Sequence, residues 1–382
     1  MQSSKIKQYV AQHQQEYLDL LRNLVNLESH TYGKREVKDK CGMYLCSLFQ
    51  ELGFDVECID AGETGIHLRG KLGNSTRKIL LVGHYDTVFP IGTTKERPYS
   101  QDAEKAYGPG IYDMKGGLVS FYMAIRALKE LDLLPKDREI DFFFNCDEEA
   151  GSPTSKAEIM ALARQAEVCL VSEPGHDSPG YVTAGRFGRS VVTFTAKGEA
   201  SHAGNRPDYA ANPLVELSHL IIHLEALCDK DKGIWYSPVS LHGGDVGATA
   251  MTPATAQVIY DIRYRNEELG SEVERALAAL TPVMDTVSID ISGGREKPPF
   301  VQGRTNEMLC LQAKKIIEEL GCTYAPACLG GGSDANFTAS VGCPSLCGLG
   351  PNGDFLHNEK EYILLKTIPT RVALVAELIR TL

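Results

Sequence analysis

Apolar runs and amphipathic segments alternate along the first part of the chain. Residues 78–83, 139–144 and 168–172 are short, nearly continuous apolar runs, which are typical of strands buried on both faces. Apolar side chains recur at helical spacing through the first sixty residues, and a further helix is predicted from about 114 to 131. Because strands that alternate with helices build layered folds, this pattern predicts an α/β structure around a largely parallel sheet.

The pattern changes after residue 173. Residues 182–197 alternate between apolar and polar side chains, as in an antiparallel strand with one exposed face. The next segments are predicted as helix, strand, helix and strand, in that order, over residues 212–228, 256–264, 268–280 and 286–292. Two helices beside one antiparallel sheet form a small α+β unit.

The α/β pattern returns toward the carboxyl terminus. A helix, a strand and a closing helix are predicted at about 305–320, near 344–348 and from about 367. The simplest organisation is therefore one α/β domain that an inserted α+β domain interrupts. We place the α/β domain at residues 1–181 and 295–382 and the inserted domain at residues 182–294.

The composition narrows the classes of function. The 382 residues include 50 acidic and 39 basic side chains, for a formal net charge of -11. Nucleic acids and anionic membranes need clustered Lys and Arg, so neither is an expected partner. No segment approaches the roughly 18 apolar residues of a spanning helix, and the amino terminus lacks the apolar core of a secretion signal. The 11 cysteines contain no CxxC pair and are interpreted as reduced thiols, so we expect a cytoplasmic protein.

Candidate metal ligands lie where the apolar runs end. His84 and Asp86 follow the first run, and alternate residues of an extended chain share a side, so Asp86 can orient the His84 imidazole. The other candidates are Asp113 in a glycine-rich turn, the carboxylates of residues 147–149, Glu173 and His357. Strand ends of open α/β sheets meet at one crevice. Two imidazoles and three carboxylates there suit two zinc ions that share a bridging carboxylate.

Each of these motifs has a simpler interpretation when it is taken alone. A His–Asp pair is more often a structural hydrogen bond, and Asp113 is also placed to cap a helix. The acidic run at residues 147–149 equally suits a solvated turn. If that run is extended, Glu148 and Glu149 face opposite ways, so that one can bind metal while the other holds water. The metal-site hypothesis therefore depends on the set of motifs.

The motifs, in their order along the chain, resemble the M20 family of di-zinc exopeptidases and amidohydrolases. GHYDTV, YGPGIYDMKGG, DEEAGS, SEP, SHAG and a late histidine carry the resemblance over nearly the whole chain. The segments LGGGSDANF and GLGPNGDFLHNEKEYI are most similar to the glutamate-carboxypeptidase-like branch. The resemblance implies a zinc-exopeptidase-like catalytic domain with an inserted dimerisation, or lid, domain.

The resemblance also implies roles for the candidate residues. His84 and Glu173 would bind one zinc, His357 and Glu149 the other, and Asp113 would bridge the two ions. The peptide bond between Asp113 and Met114 is expected to be cis. The cofactors are thus two Zn²⁺ per subunit, with Co²⁺ or Mn²⁺ able to replace them. The implied catalytic set is Glu148, His202 and Asp86.

The members of the catalytic set have different tasks. Glu148 would be the general base that takes a proton from water and passes it to the leaving amine. Asp86 would support His84. His202, which alone suits a simple turn histidine, would come from the partner subunit and stabilise the oxyanion, which implies a homodimer through the inserted domain.

Three further residues are assigned to substrate binding. Arg263 would hold a substrate carboxylate, although an ion pair within the sheet is an equal alternative. Gly331 would let the backbone approach the substrate, and Lys297 would attract a carboxylate where relatives commonly have an arginine. Ala250 stands where the family usually has Asn. The two departures from the family pattern, at Ala250 and Lys297, concern substrate recognition and leave the metal ligands unchanged.

The expected function is metal-dependent hydrolysis of an amide bond that releases a carboxyl-terminal amino acid, glutamate or another polar residue. The substrate would be a small peptide or an N-acyl amino acid. An N-acyl-amino-acid deacylase of the acetylornithine or succinyl-diaminopimelate type is the alternative. A non-catalytic, metal-stabilised binding protein and a serine amidase using Ser333 are alternatives of other classes. The helical pair His219 and His223 lacks an HExxH glutamate and is interpreted as a helix face.

Overall fold

The contacts of the chain divide it into two units. The computed structural model describes residues 2–176, 178–205, 211–301 and 303–382. The larger unit comprises Met1–Gly185, Gln302–Leu329 and Ser333–Leu382, and the smaller unit comprises Arg186–Val301 and Gly330–Gly332.

The helices and strands are numbered along the chain. The helices are α1 (Gln2–Gln12), α2 (Gln14–Val25), α3 (Arg35–Glu51), α4 (Thr93–Glu96), α5 (Gly116–Glu130), α6 (Lys156–Ala163), α7 (Pro213–Ala226), α8 (Glu267–Ala278), α9 (Arg304–Glu319), α10 (Ala335–Ser340) and α11 (Ile368–Thr381). The strands are β1 (Asp55–Asp60), β2 (Ile66–Leu72), β3 (Lys78–His84), β4 (Ser100–Gln101), β5 (Lys105–Tyr107), β6 (Glu139–Asn145), β7 (Val168–Val171), β8 (Tyr181–Arg186), β9 (Gly188–Lys197), β10 (Ser201–His202), β11 (Ile234–Gly243), β12 (Met251–Thr252), β13 (Thr255–Tyr264), β14 (Ser288–Lys297), β15 (Ala325–Leu329), β16 (Ser345–Leu346), β17 (Gly353–Asp354) and β18 (Tyr362–Leu364).

The larger unit is built on a six-stranded sheet with the order β1-β2-β6-β3-β7-β16. The strands β6, β3, β7 and β16 pair in parallel, whereas β2 is antiparallel to both of its neighbours. Five strands therefore run in one direction, and the predicted α/β fold with a mostly parallel sheet is confirmed. Every residue of β6 is buried, as its apolar sequence predicts, and Phe142 and Phe144 pack against Phe49 of α3.

The strand order places a crevice at the carboxyl end of β3. From β3 the chain returns to the sheet on one side as β6 and then crosses to the other side as β7. The loops that leave these strands diverge at such a reversal, and ligands of open α/β sheets bind there. His84 ends β3, Asn145 ends β6, and Glu173 lies two residues after β7.

The predicted strand over residues 182–197 is two strands, β8 and β9. Thr183 of β8 bridges to Cys347 in the larger unit, and Arg186 bridges to Phe300 in the smaller one. The division of the chain therefore falls after Gly185 and after Val301, whereas the sequence placed it after residues 181 and 294.

The smaller unit is an antiparallel sheet with the order β11-β13-β9-β14, on which α7 and α8 pack in one apolar core. Burial alternates along β9 and β13, so that one face of the sheet lies against the helices. The side chains of Asn212 and Asn266 accept backbone N–H groups at the first turns of these helices, at 3.0 and 2.9 Å.

Two features of this sheet differ from the prediction. The edge strand β11 was not predicted, because a register shift between Pro238 and Ser240 interrupts its alternation. Strand β14 continues past residue 292 to Lys297, although Gly293–Gly294 has the composition of a turn. Gly293 has a φ of 87°, and a Cβ there would lie 2.3 Å from the Val191 carbonyl oxygen, so the strand requires glycine.

None of the helices in the described part of the chain is long and apolar enough to cross a lipid bilayer.

Candidate metal centre

His84 is held by Asp86 at the end of β3. The ring Nδ1 lies 3.1 Å from the Asp86 backbone oxygen and 3.3 Å from Asp86 Oδ1, and both side chains are buried. Burial raises the pKa of Asp86, but hydrogen bonds from His84 and Thr31 and the charge of His84 lower it below its usual range. The acceptors at Nδ1 place the hydrogen of a neutral ring on that atom, which leaves the Nε2 lone pair for a metal.

Asp113 presents one oxygen to each of the two histidines. Its Oδ1 lies 3.2 Å from His84 Nε2, and its Oδ2 lies 3.1 Å from His357 Nε2. The peptide bond from Asp113 to Met114 is cis, as the family resemblance implied. Asp113 Oδ1 is buried and receives no hydrogen bond within the described residues. An imidazole lone pair and a carboxylate oxygen that face each other in this way fit a shared cation.

Each histidine also has its own glutamate. Glu173 Oε1 lies 3.7 Å from His84 Nε2, and Glu149 Oε1 lies 3.1 Å from His357 Nε2. Two ligands of one tetrahedral zinc at 2.0–2.2 Å are about 3.4 Å apart. The candidate residues therefore fall into two candidate ligand sets, one of His84, Asp113 Oδ1 and Glu173, the other of His357, Asp113 Oδ2 and Glu149.

The candidate ligands are three carboxylates and two imidazoles, and the pKa values of Asp113, Glu149 and His357 are strongly shifted. Hydrogen bonds to Asp113 and Glu149 raise the pKa of His357 to about 10. Burial and the neighbouring charge of Asp113 raise the pKa of Glu149 to about 7. Burial opposes ionisation of Asp113, but the hydrogen bond with His357 and the close ion pair with His84 lower its pKa well below the usual range. The carboxylates stabilise positive charge between them, which is what a cation site requires.

Asp86 holds the backbone of the turn Glu148–Ala150, which is called the glutamate loop below. The N–H groups of Glu148 and Glu149 donate to Asp86 Oδ1 and Oδ2, each at 3.2 Å. Residues 148–150 form a tight helical turn, so the argument from an extended strand does not apply to Glu148 and Glu149. Asp86 thus contacts both glutamates and His84, which is the arrangement of a positioning residue.

The comparison with known families decides the class of the protein. Residues 80–381 match the model described as Peptidase family M20/M25/M40. The chain belongs to this family. It is therefore an enzyme of the metallopeptidase and amidohydrolase type, and metal dependence is a property of its family.

Similar curated proteins and solved structures agree with the M20 assignment. Carboxypeptidase G2 from Pseudomonas sp. (strain RS-16) is 34% identical over 372 residues, which covers 95% of this chain and 88% of that protein. Succinyl-diaminopimelate desuccinylase from Hydrogenovibrio crunogenus is 27% identical and covers 91% and 94%, respectively. The crystal structure of aminopeptidase PepT from Bacillus cereus shares the fold, with a TM-score of 0.78, 23% identity and coverage of 96% and 98%.

The metal-ligand candidates of this M20 chain lie in the larger unit, whereas His202 and the substrate-binding candidates lie in the smaller unit. His84, Asp86, Asp113, Glu148, Glu149, Glu173 and His357 belong to the larger unit, and the first six are at least partly buried there. His202, Arg263, Lys297 and Gly331 belong to the smaller unit.

Arg263 takes part in the ion pair that the sequence left open as an alternative. Its Nε and one terminal nitrogen donate to Asp261 at 2.5 and 2.9 Å, and the other terminal nitrogen donates to the Gly330 carbonyl at 2.9 Å. The carbonyl of Gly331 accepts a hydrogen bond from Arg186 at 3.0 Å. Lys297 is buried at the end of β14. The Arg263 guanidinium is therefore fixed beside the glycine loop of residues 330–332.

Ser333 does not have the surroundings of a nucleophile. Its hydroxyl oxygen accepts the Ala335 N–H at 3.1 Å and lies 3.5 Å from Cys347 Sγ, in a fully buried position at the start of α10. These contacts favour a structural role for Ser333 over the serine-amidase hypothesis. His219 and His223 lie exposed on α7, in agreement with their interpretation as a helix face.

Sequence reasoning missed two carboxylates that hold the ligand loops. Asp334 accepts hydrogen bonds from Asn145 Nδ2 and Ser152 Oγ, both at 2.5 Å, on either side of the glutamate loop. Glu361 accepts backbone hydrogen bonds from the turn that carries Asp113. Both residues stand in polar segments, GGGSD and HNEKEY, where composition alone suggests exposed side chains. No periodic signal distinguishes a buried acid in such a segment.

Proposed function

We propose that this protein is a di-zinc carboxypeptidase that hydrolyses an amide bond and releases an amino acid with a free α-carboxylate. The single observation that carries the proposal is Asp113, whose two oxygens face two separate histidine–glutamate pairs. This arrangement suits two ions with a shared carboxylate, and zinc accepts the imidazole and carboxylate donors. We propose His84 and Glu173 as ligands of one ion, His357 and Glu149 as ligands of the other, and Asp113 as the bridge.

The protein groups around such a site divide the work of hydrolysis. Two zinc ions would supply Lewis-acid polarisation of the scissile carbonyl and a lowered pKa for the attacking water. Glu148 would take the proton from that water and return it to the leaving amine. The backbone N–H of Glu148 donates to Asp86, so this proposed base is attached to a backbone segment of fixed position.

His202 is suited to donate a hydrogen bond to the oxyanion. Its Nδ1 accepts the N–H groups of Gly204 and Asn205 at 3.1 and 3.2 Å. A neutral ring with this acceptor carries its hydrogen on Nε2, and the side chain is exposed. The tautomer is thus already the one that oxyanion stabilisation needs.

The proposed assembly is a homodimer through the smaller unit, in which His202 of the partner subunit completes each site. Support comes from the edge strand β11 and from α7, which carry exposed apolar side chains: Val215, Ile222, Val239 and Leu241. Among the described residues β13 is the only strand of the sheet that pairs with β11, and an edge strand with exposed apolar residues is a surface that a second copy can cover. We also propose a cytoplasmic location, because no disulfide joins any of the 11 cysteines, all of which lie within the described residues.

The proposed substrates are small peptides or N-acyl amino acids that end in glutamate or another polar residue. Support comes from the identity to carboxypeptidase G2 and from Arg263, whose two terminal nitrogens each have one more N–H beside those that contact Asp261 and Gly330. Lys297 and Gly331 are proposed as further substrate contacts. The similarity to succinyl-diaminopimelate desuccinylase keeps an N-acyl-amino-acid deacylase as the second candidate.

A matched substrate panel tests the proposed specificity. N-acyl-glutamate and dipeptides ending in glutamate are expected to be hydrolysed in zinc-containing buffer, with kcat/KM at least about 100-fold above that for the same compounds with an amidated carboxyl terminus. Product amino acids would be quantified by chromatography. Preference for N-succinyl-diaminopimelate or N-acetylornithine would favour the deacylase, and no turnover of any compound would overturn the proposal.

Subunit complementation tests whether His202 acts across the dimer. His202→Ala and Glu148→Gln should each be nearly inactive alone. After subunit exchange, half of the dimers are mixed and each holds one intact site, so activity should recover to about 25% of wild type. The control mixes His202→Ala with the double variant His202→Ala/Glu148→Gln; every site then lacks His202, so no activity should be recovered. Absence of recovery after verified exchange would show that His202 does not act in trans.

A further inference from the structure

Glu361 is a buried carboxylate whose oxygens are used by the backbone of one turn. Its Oε1 accepts the N–H groups of Tyr112 and Asp113 at 2.7 and 2.9 Å, and its Oε2 accepts the N–H of Gly110 at 3.0 Å. The side chain is 1% exposed. Three converging N–H donors make a strong anion-binding arrangement, and all three belong to the turn that presents Asp113 to both histidines.

The pairing of two short strands brings Glu361 to this turn. Tyr362, the next residue, pairs with Tyr107 at the end of β5, directly before the Gly108–Gly110 segment that begins the turn. Glu361 is also four residues after His357. One side chain therefore connects the loop of the His357 ligand with the backbone of the bridging ligand.

A second contact holds the same turn from its other side. The Tyr112 hydroxyl donates to the Gly175 carbonyl at 2.9 Å, two residues after Glu173. Glu361 itself is not placed as a ligand, since both of its oxygens accept backbone hydrogen bonds. Its effect on a metal would act through the position of Asp113.

We propose that Glu361 is a positioning residue for the metal pair, which holds the Gly110–Asp113 turn so that Asp113 presents one oxygen to each ion. This inference rests on the two-metal site proposed above. Without the carboxylate, the buried N–H groups lose their acceptor, and the turn is free to move Asp113 away from the bridging position. Partners of metal ligands typically contribute about 10–100-fold to metal affinity.

Glu216 in the smaller unit provides a matched control. It is also 1% exposed, and its two oxygens accept the N–H groups of Val283 and Met284 at 2.9 and 2.8 Å. Glu361→Gln and Glu216→Gln make the same chemical change, since each places an amide NH₂ against a backbone donor. Only the first change touches the turn of Asp113.

The experiment measures zinc binding and the Co²⁺ spectrum in the full-length protein. Zinc affinity would be measured by competition with a chelating indicator, and the visible d–d bands of the Co²⁺ form would report ligand geometry. We expect Glu361→Gln to bind zinc about 10–100-fold more weakly, with altered bands, and Glu216→Gln to stay within about twofold of wild type. Glu361→Asp keeps the carboxyl group on a shorter side chain and should recover part of the affinity.

The possible results separate the two proposals. Wild-type protein that binds fewer than two zinc ions overturns the two-metal site. Wild-type protein that binds two ions, together with a Glu361→Gln variant of unchanged affinity and spectrum, overturns only the role of Glu361. Equal losses in Glu361→Gln and Glu216→Gln also overturn it. If circular dichroism shows Glu361→Gln unfolded even in excess zinc, a folded Glu361→Asp with wild-type affinity overturns the inference, and one with weakened affinity supports it.

Discussion

Glu148→Gln is expected to lower kcat by about 10²–10⁴-fold while both metal ions stay bound. The amide has the shape of the carboxyl group but cannot take a proton from water. The loop should keep its conformation, because Asp86 holds the backbone N–H groups of Glu148 and Glu149 rather than their side chains. Steady-state kinetics and metal analysis of the same preparation would measure the two quantities.

The control for this variant is Glu158→Gln. Glu158 lies on α6 and pairs with Arg69 at 3.2 Å at the surface, where an ion pair contributes little to stability. Its kinetics should match wild type. Glu148→Gln protein with more than about a tenth of wild-type kcat would contradict the assignment of the general base. Loss of metal from that variant would instead indicate that Glu148 is a ligand.

Asp113→Ala is expected to weaken the binding of both metal ions together. One oxygen of Asp113 belongs to each ligand set, so the substitution removes a ligand and a negative charge from both. Activity should fall by at least about 10⁴-fold, because enzymes of this kind accelerate hydrolysis by about 10⁶-fold or more and the loss of both ions removes most of that acceleration. Metal content after dialysis against a weak chelator and residual kcat/KM would be measured.

His357→Ala distinguishes a bridging ligand from a ligand of one ion. His357 contacts Asp113 Oδ2 and Glu149 Oε1, which form one of the two sets. The variant should therefore retain close to one tightly bound ion, whereas Asp113→Ala should retain neither at the same chelator concentration. Equal metal content in the two variants would contradict the bridging role of Asp113.

Local pattern was sufficient for most of the fold. The apolar runs of β3, β6 and β7 and the spacing of α7 and α11 are properties of short segments, so the α/β class and the inserted sheet could be predicted from them. The edge strand β11 could not be predicted, because a bulge next to Pro238 breaks its alternation. The extension of β14 through Gly293 depends on the close approach of Val191, which is a contact between strands.

The sequence by itself determined the family, the fold class and the residue types available for a metal site, because the motifs are contiguous and each follows its own strand. Only the tertiary structure decided which oxygen of Asp113 faces which histidine, and that Glu361 is buried beneath the same turn. The relations of Asp113 with His357 and Glu361 join residues 244 and 248 positions apart, and no local periodicity records them. The meeting of strand ends and the pairing of β5 with β18 bring the residues together.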